Sequence, residues 1–202
     1  MKVQFFCGHV IMSSTPEDIT MEGKDIDISI IRPQIKASDF KQRGQDFARK
    51  RLKSIKRGLQ TLHTLEIMAV NIYKLQITRD ESELNLQLIV AMCNEMTHLQ
   101  DFQVKLYEYG FKPSQIRPLY WIVGYALGFF SRMMGTKSVL KTGIWVETKA
   151  VHHYAELLKE IEWDEETRKI IEKDQADEYG HIHRWSSLLK KEASRTDVRT
   201  KT

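Results

Sequence analysis

Glu95-Met96-Thr97-His98 and Glu178-Tyr179-Gly180-His181 decide the fold, since each is a carboxylate followed three positions later by an imidazole, a spacing that a helix puts on one face. Each word has an upstream acidic partner: Glu66 precedes Glu95 by 29 positions, and Glu147 precedes Glu178 by 31. If each interval is two antiparallel helices joined by a tight turn, the two carboxylates share a height only when the turn falls at the midpoint. The midpoints fall on Thr78-Arg79-Asp80-Glu81-Ser82 and on Trp163-Asp164, which offer turn and N-cap residues. The pattern therefore predicts an all-α chain in which Glu66, Glu95, His98, Glu147, Glu178 and His181 converge on one level of a four-helix bundle.

The flanking residues support four amphipathic helices. Leu59, Leu62, Ala69, Val70, Tyr73 and Ile77 recur at helical spacing around Glu66, and Leu84, Leu88, Ala91, Leu99, Phe102 and Leu106 do so around Glu95. Leu140, Ile144, Val151, Tyr154 and Leu158 accompany Glu147, and Ile171, Ile182, Trp185 and Leu189 accompany Glu178. Gly110 and Pro113 stop the second helix, and Thr136 or Ser138 can start the third. Ser38-Asp39 offers an N-cap for a basic helix running toward Gly58. Residues 1–37 read as an N-terminal appendage, irregular or with short strands: Val3 to Met12 could pair with the alternating stretch Asp25 to Ile30. The bundle is expected over 38–192 and a charged, frayed tail over 193–202.

With 202 residues, 42% of them hydrophobic, the chain suffices for one domain with a sizeable core, and it holds no run of about 18 apolar residues that would span a bilayer. Its first residues lack the small-residue cleavage site of a secretory or transit peptide. Cys7 and Cys93 form no C-x-x-C word, which fits a reducing compartment and excludes a rubredoxin-type iron site here; Cys93 is expected to be a small core residue. The net charge is +4, but Lys41, Arg43, Arg49, Lys50, Arg51, Lys53, Lys56 and Arg57 crowd one segment. That segment faces solvent, anionic lipid headgroups or nucleic acid. No base-reading motif accompanies it, so nucleic acid is not expected as a partner.

Four carboxylates on inward helix faces would each cost several kcal/mol if buried alone. Two divalent cations reverse that balance, because a carboxylate can bridge both while an imidazole supplies a directional ligand to one. Ferritin-like di-iron and di-manganese carboxylate proteins use this donor set, and the mix of oxygen and nitrogen donors without thiolate suits iron, with manganese as the alternative. One E-x-x-H word is common in a chain that is 29% charged; two, each with a Glu at matching height, are not. Asn94 and Asp177 hold equivalent positions before Glu95 and Glu178. From there they could orient the free ring nitrogen of the opposite hairpin's His, or be ordinary helix-surface polarity. Of His63, His152 and His153, one is expected to touch the site, and His153 and Tyr154 are the candidates for its supporting layer.

Between the hairpins lies Leu119-Tyr120-Trp121-Ile122-Val123-Gly124-Tyr125-Ala126-Leu127-Gly128-Phe129-Phe130. The run is too short to cross a membrane and too apolar to lie fully in water. It fits the long crossover of a ferritin-like bundle. Two uses stay open: a helix in the bilayer interface presenting Leu119, Trp121, Ile122, Tyr125, Phe129 and Phe130, or a cover for one end of the bundle or a subunit contact. A homo-oligomer is compatible with either.

With those residues laid out, the sequence resembles the demethoxyubiquinone hydroxylases, ferritin-like di-iron monooxygenases of ubiquinone biosynthesis, over roughly Leu62 to Trp185. Arg117-Pro118-Leu119-Tyr120-Trp121 with Gly124-Tyr125-Ala126-Leu127-Gly128 is similar to the family's crossover. Val146-Glu147 followed by His152-His153-Tyr154 is similar to its third helix, and Ile72-Tyr73 to its first. The resemblance implies the same six metal ligands, two iron ions, dioxygen and a membrane-borne quinone or quinol. It also implies electrons from NADH through the quinone itself and a cytoplasmic protein peripheral on the inner face of the cell membrane, touching it through 116–133; the basic segment 41–57, for which the resemblance gives no account, is a second candidate contact read from its charge alone. A di-metal oxidase, peroxidase or metal-binding protein without an organic substrate is the alternative. The chain departs from the family around Glu66: where the family reads Asp-His-Ala-Gly-Glu-Tyr-Gly-Ala, it has Leu62-His63-Thr64-Leu65-Glu66-Ile67-Met68-Ala69. Leu65 and Met68 in place of Gly narrow or reshape whatever space lies there.

Overall fold

The computed structural model describes residues 36–199, with side chains to Ser194; the strands expected within residues 1–35 lie outside the described residues. Met1–Phe40 forms a unit of its own, of which the described part is a single 3-10 turn, Ala37–Asp39, closed by a hydrogen bond from the Lys36 amide to the Asp39 carboxylate at 2.8 Å. From Lys41 onward the chain is a helical bundle with α1 at Arg49–Gln76, α2 at Glu83–Glu108, α3 at Arg117–Met133, α4 at Thr136–Glu160 and α5 at Glu165–Arg199. Helices α1, α2, α4 and α5 form the ferritin-like four-helix core. Two pairs, α1 with α2 and α4 with α5, are the predicted hairpins, and α3 packs on α1 and α4.

Both turns fall at the midpoints that the ligand spacing demands. At the first, the Ser82 hydroxyl caps α2 by accepting from the Asn85 amide at 3.2 Å. The Asn85 side chain then ties the turn together, donating to the carbonyls of Thr78 at 3.1 Å and Asp80 at 2.9 Å. At the second, Asp164 accepts from the Thr167 amide at 3.2 Å, and the Trp163 indole donates to the Leu157 carbonyl at 2.9 Å. Helix α2 ends in a Schellman motif: Gly110 takes φ 72°, its amide donates to the Tyr107 carbonyl, and the Phe111 amide donates to that of Leu106 at 2.7 Å.

Three boundaries differ from the sequence reading. The basic stretch is not a separate helix from Ser38-Asp39 to Gly58, because α1 starts at Arg49 and passes through Gly58 unbroken. A Cβ at Gly58 would stand 2.6 Å from Ile161 Cδ1 and 2.7 Å from the Trp163 ring, so this glycine makes room for the α4–α5 turn and does not end a helix. Upstream of α1, Arg43 pins the chain to the bundle by pairing with Glu108 at 2.5 Å, Asp164 at 2.9 Å and Glu166 at 2.5 Å. The last helix stays helical to Arg199, past the point where fraying was expected.

The core has two parts that bracket the site level. Leu59, Leu62, Phe102, Leu106, Tyr154 and Ile171 fill one, and Ile72, Tyr73, Leu88, Ala91, Leu140 and Trp185 fill the other. Cys93 is exposed and not in the core; it lies two positions from the inward Glu95, so the helical period turns it outward. Helix α3 touches α1 through its glycines: a Cβ at Gly124 would meet the Met68 carbonyl oxygen at 2.4 Å, and one at Gly128 that of Ile72 at 2.5 Å. The opposite face of α3 is uncovered, with Leu119, Trp121, Ile122, Tyr125, Phe129 and Phe130 all exposed. No helix among the described residues is long and apolar enough to cross a membrane.

Candidate metal centre

All six predicted residues meet inside the bundle. Glu66 comes from α1, Glu95 and His98 from α2, Glu147 from α4, and Glu178 and His181 from α5, each no more than 2% exposed. Their donor atoms fall into two overlapping groups, Glu66, Glu95, His98 and Glu178 in one and Glu95, Glu147, Glu178 and His181 in the other, with the atoms of each group within 4.8 Å of one another. Glu95 and Glu178 belong to both groups and divide their oxygens between them. Nδ1 of His98 lies 3.7 Å from Glu95 Oε2 and 3.2 Å from Glu178 Oε1, whereas Nδ1 of His181 lies 3.0 Å from Glu95 Oε1 and 3.3 Å from Glu178 Oε2. Glu66 and Glu147 complete one group each.

The electrostatics call for cations. Burial, reinforced by Glu95 and Glu178, pushes the Glu66 carboxyl far above the usual range, and burial with the same two neighbours does so for Glu147. For the imidazoles burial works downward, yet the surrounding carboxylates overcome it and push both His98 and His181 up to about 12. Both oxygens of Glu95 and of Glu178, one of Glu147, and Nδ1 of both histidines are buried without a hydrogen-bond partner. Orphaned lone pairs of this kind are rare unless an ion takes them up. Oxygen-rich donors in two overlapping sets, all aimed at one interior, are compatible with a metal site.

A supporting layer fixes the donors. Asp177 accepts from Nε2 of His98 at 3.3 Å, and the Asn94 amide group lies 3.2 Å from Nε2 of His181, so each histidine is oriented by the neighbour of the opposite hairpin's Glu. The Tyr154 hydroxyl donates to Glu66 Oε1 at 2.6 Å. Tyr73, read from sequence only as an apolar-face residue, donates to Glu147, and the Trp185 indole donates to the Tyr73 hydroxyl at 3.2 Å. Asp174 went unnoticed; it is fully buried, 3.8 Å from His98 Nε2, and its position four residues before Glu178 on the same face was the signal. His153 does not touch the six donors: it is half-buried, with Nδ1 3.5 Å from Glu156. His63 is buried against Gln103 at 3.2 Å.

A cavity of 330 Å³ lies between α1 and α4 and reaches Glu66, Glu95 and Glu147. Leu65 and Met68 line it together with Ala69, Trp145, Ala150 and His153, so the departures noted in the sequence sit in the wall of the cavity that reaches the donors.

The family model described as "Ubiquinone biosynthesis protein COQ7" matches residues 53–200. The NADPH-dependent 3-demethoxyubiquinone 3-hydroxylase, mitochondrial, of Dictyostelium discoideum is 28% identical over 134 residues, covering 64% of this chain and 62% of that protein. The 3-demethoxyubiquinol 3-hydroxylase of Legionella pneumophila (strain Paris) is 29% identical over 123 residues, covering 60% and 58%. The chain thus spans about three fifths of the length of these curated relatives. With the matched segment containing all six donors and both bundle hairpins, the chain belongs to the ubiquinone biosynthesis protein COQ7 family.

Proposed function

We propose that this protein is a di-iron monooxygenase that uses dioxygen to hydroxylate the ring of a membrane-borne quinone or quinol of the demethoxyubiquinone type. The observation that carries the reading is the pair of overlapping, buried donor groups opening onto an apolar cavity. Glu66 and His98 would hold one iron and Glu147 and His181 the other, with Glu95 and Glu178 shared; manganese is the alternative ion. Bound iron supplies the reduction of dioxygen, which the side chains cannot perform.

The chain's own residues do the rest. Asp177 and Asn94 keep each imidazole turned so that Nδ1 faces the carboxylates. Tyr73, held by Trp185, fixes Glu147, and Tyr154 fixes Glu66. The apolar wall of Leu65, Met68, Ala69 and Ala150 would seat the ring and exclude water, which strengthens every charge interaction inside. Adding one oxygen atom to the ring and releasing the other as water takes two electrons and two protons; the Dictyostelium relative's name points to a nicotinamide nucleotide as their source. The exposed face of α3 would lie in the bilayer interface, keeping the protein peripheral on the inner face of the cell membrane with the isoprenoid tail alongside.

Leu65 and Met68 favour the second reading, a di-metal oxidase or peroxidase without an organic substrate, because they narrow the cavity. Complementation separates the two. A strain lacking its demethoxyubiquinone hydroxylase should stop accumulating the demethoxy precursor when this chain is expressed, and purified protein should carry about two iron ions per chain. A filled metal site with the precursor still accumulating would defeat the quinone reading, and stoichiometric zinc without dioxygen uptake would defeat the redox reading.

A further inference from the structure

We propose that the cleft at the start of α3 binds the phosphate of an anionic lipid headgroup through Lys56, Lys112 and Arg117; the inference rests on the peripheral-membrane reading above. The cleft has a volume of 1020 Å³ and is walled by Lys56 and Gln60 of α1 and by residues 110–118. Its backbone is fixed: the Schellman motif at Gly110 sets the exit from α2, and the Gln60 side chain donates to the Lys112 carbonyl at 2.8 Å. The three cations are therefore presented from a rigid frame.

They are also uncompensated. Lys56, Lys112 and Arg117 are exposed, and none has a carboxylate within ion-pair distance among the described residues. The basic residues at the neighbouring end of the bundle differ: Lys41, Arg43, Arg51 and Lys105 are each paired with an acid. Chemistry next to the cleft identifies the anion's carrier. Ile116 and Leu119 are each 58% exposed at its edge, and Trp121, Ile122 and Tyr125 continue the apolar face away from it. Cations at one end of an uncovered, aromatic-rich helix match an interface where phosphates border acyl chains. The aliphatic Ile116, Leu119 and Ile122 beside the cations suit acyl chains better than the bases of a nucleic acid.

Each cation near an anionic surface contributes enough that three together multiply the partition coefficient on the order of 100-fold. The test is co-sedimentation of the full chain with vesicles of phosphatidylcholine alone and of phosphatidylcholine mixed with phosphatidylglycerol. Three proteins are compared: the wild type, the variant Lys56→Gln/Lys112→Gln/Arg117→Gln, and a charge-matched variant Arg79→Gln/Lys159→Gln/Lys190→Gln, whose exposed residues lie outside both the cleft and the basic segment. The expected result is that the cleft variant alone falls to its neutral-vesicle binding on mixed vesicles, while binding to neutral vesicles is unchanged in all three. Equal losses in both variants would make the effect one of general charge and overturn the site. Displacement from mixed vesicles by millimolar glycerol phosphate would assign the cleft to a soluble phosphate and overturn the lipid. Wild type bound to neither vesicle would instead refute the peripheral-membrane reading itself, and loss of neutral-vesicle binding in Ile122→Asp checks that arm independently.

Discussion

One substitution made at two glycines should move stability in opposite directions. A Cβ at Gly124 would stand 2.4 Å from the carbonyl oxygen of Met68 and 3.0 Å from its Cα, both main-chain atoms of α1. An ordinary carbon–oxygen contact is about 3.3 Å or more, so α3 and α1 would have to part by roughly 1 Å. Helix α1 is held across the bundle, because Tyr73 donates to Glu147 and Glu66 accepts from Tyr154. Overpacking against such a backbone sits at the upper end of its range, about 3 kcal/mol, and the better helix propensity of Ala returns about 1 kcal/mol, leaving Gly124→Ala about 2 kcal/mol less stable. At Gly180, between Glu178 and His181 on α5, a Cβ meets nothing within 4 Å. Only the propensity gain remains there, so Gly180→Ala should be about 1 kcal/mol more stable. For a chain of this size the expected shifts are a fall in Tm of about 4–8 °C for Gly124→Ala and a rise of about 2–4 °C for Gly180→Ala, read by circular dichroism with equal metal loading. A rise in both would mean that α3 is not seated backbone-to-backbone on α1, and the orientation of its apolar face would lose its basis.

Shared and unshared ligands should separate by metal analysis: Glu95→Ala, which removes a donor from both groups, should lose most of both ions, whereas Glu66→Ala should retain close to one per chain. The Arg43 cluster predicts an acid transition. Arg43 and Lys105 hold the Glu166 carboxyl down to about 2, and for Glu108 and Asp164 burial works upward but is overcome by hydrogen bonds, from Lys105 and Arg43 to the first and from Thr167 and Tyr109 to the second. Folded values below the ordinary ones mean that this stability is complete above the usual carboxylate range and fades as pH falls from 4.5 toward 2, so urea denaturation across that window should be steep in the wild type and flatter in Arg43→Gln. If Leu65 limits the cavity, Leu65→Ala should raise kcat/KM for a ring carrying one extra methoxy group by about 10-fold without changing metal content; an unchanged ratio would place the ring elsewhere.

The site was legible because burying charge is so demanding that it leaves a spatial rule in the sequence. Four inward carboxylates must share a height, which fixes where each hairpin turns, and Ser82 and Asp164 stand where that rule requires a cap. The register marked Asn94 and Asp177 as equivalent positions but left their use open between orienting the histidines and ordinary surface polarity; their contacts with His181 and His98 appear only in the folded bundle. Features set by contacts across the bundle left no local mark: Gly58 resembles a helix end in sequence, and only the approach of Trp163 and Ile161 explains it. Tyr73 and Trp185 sit on apolar faces, and their hydroxyl and indole show their use only when a carboxylate arrives opposite. Cys93 is a different case. Its outward direction follows from its spacing to Glu95, so residue type was given weight that helical period should have had.

Leu65 and Met68 lie beside the donors without being donors, so ligand set and cavity shape can vary separately in this architecture. The donors come from four helices and aim at one point, so each is constrained by five others. The cavity is walled mainly by α1 and α4, where Leu65, Met68, Ala69 and Ala150 are not donors, so its shape can change at these positions while the donor residues stay the same. Leu65 and Met68 line the cavity beside Glu66, and the Met68 backbone also receives Gly124 of α3. At 28–29% identity to two named hydroxylases, this chain brings six donors together beside a cavity mouth lined by Leu65 and Met68. If the proposed ring substrate is right, discrimination among its substituents should be sought along the seam between α1 and α4, and substitutions on α2 and α5 should change metal retention before they change substrate choice.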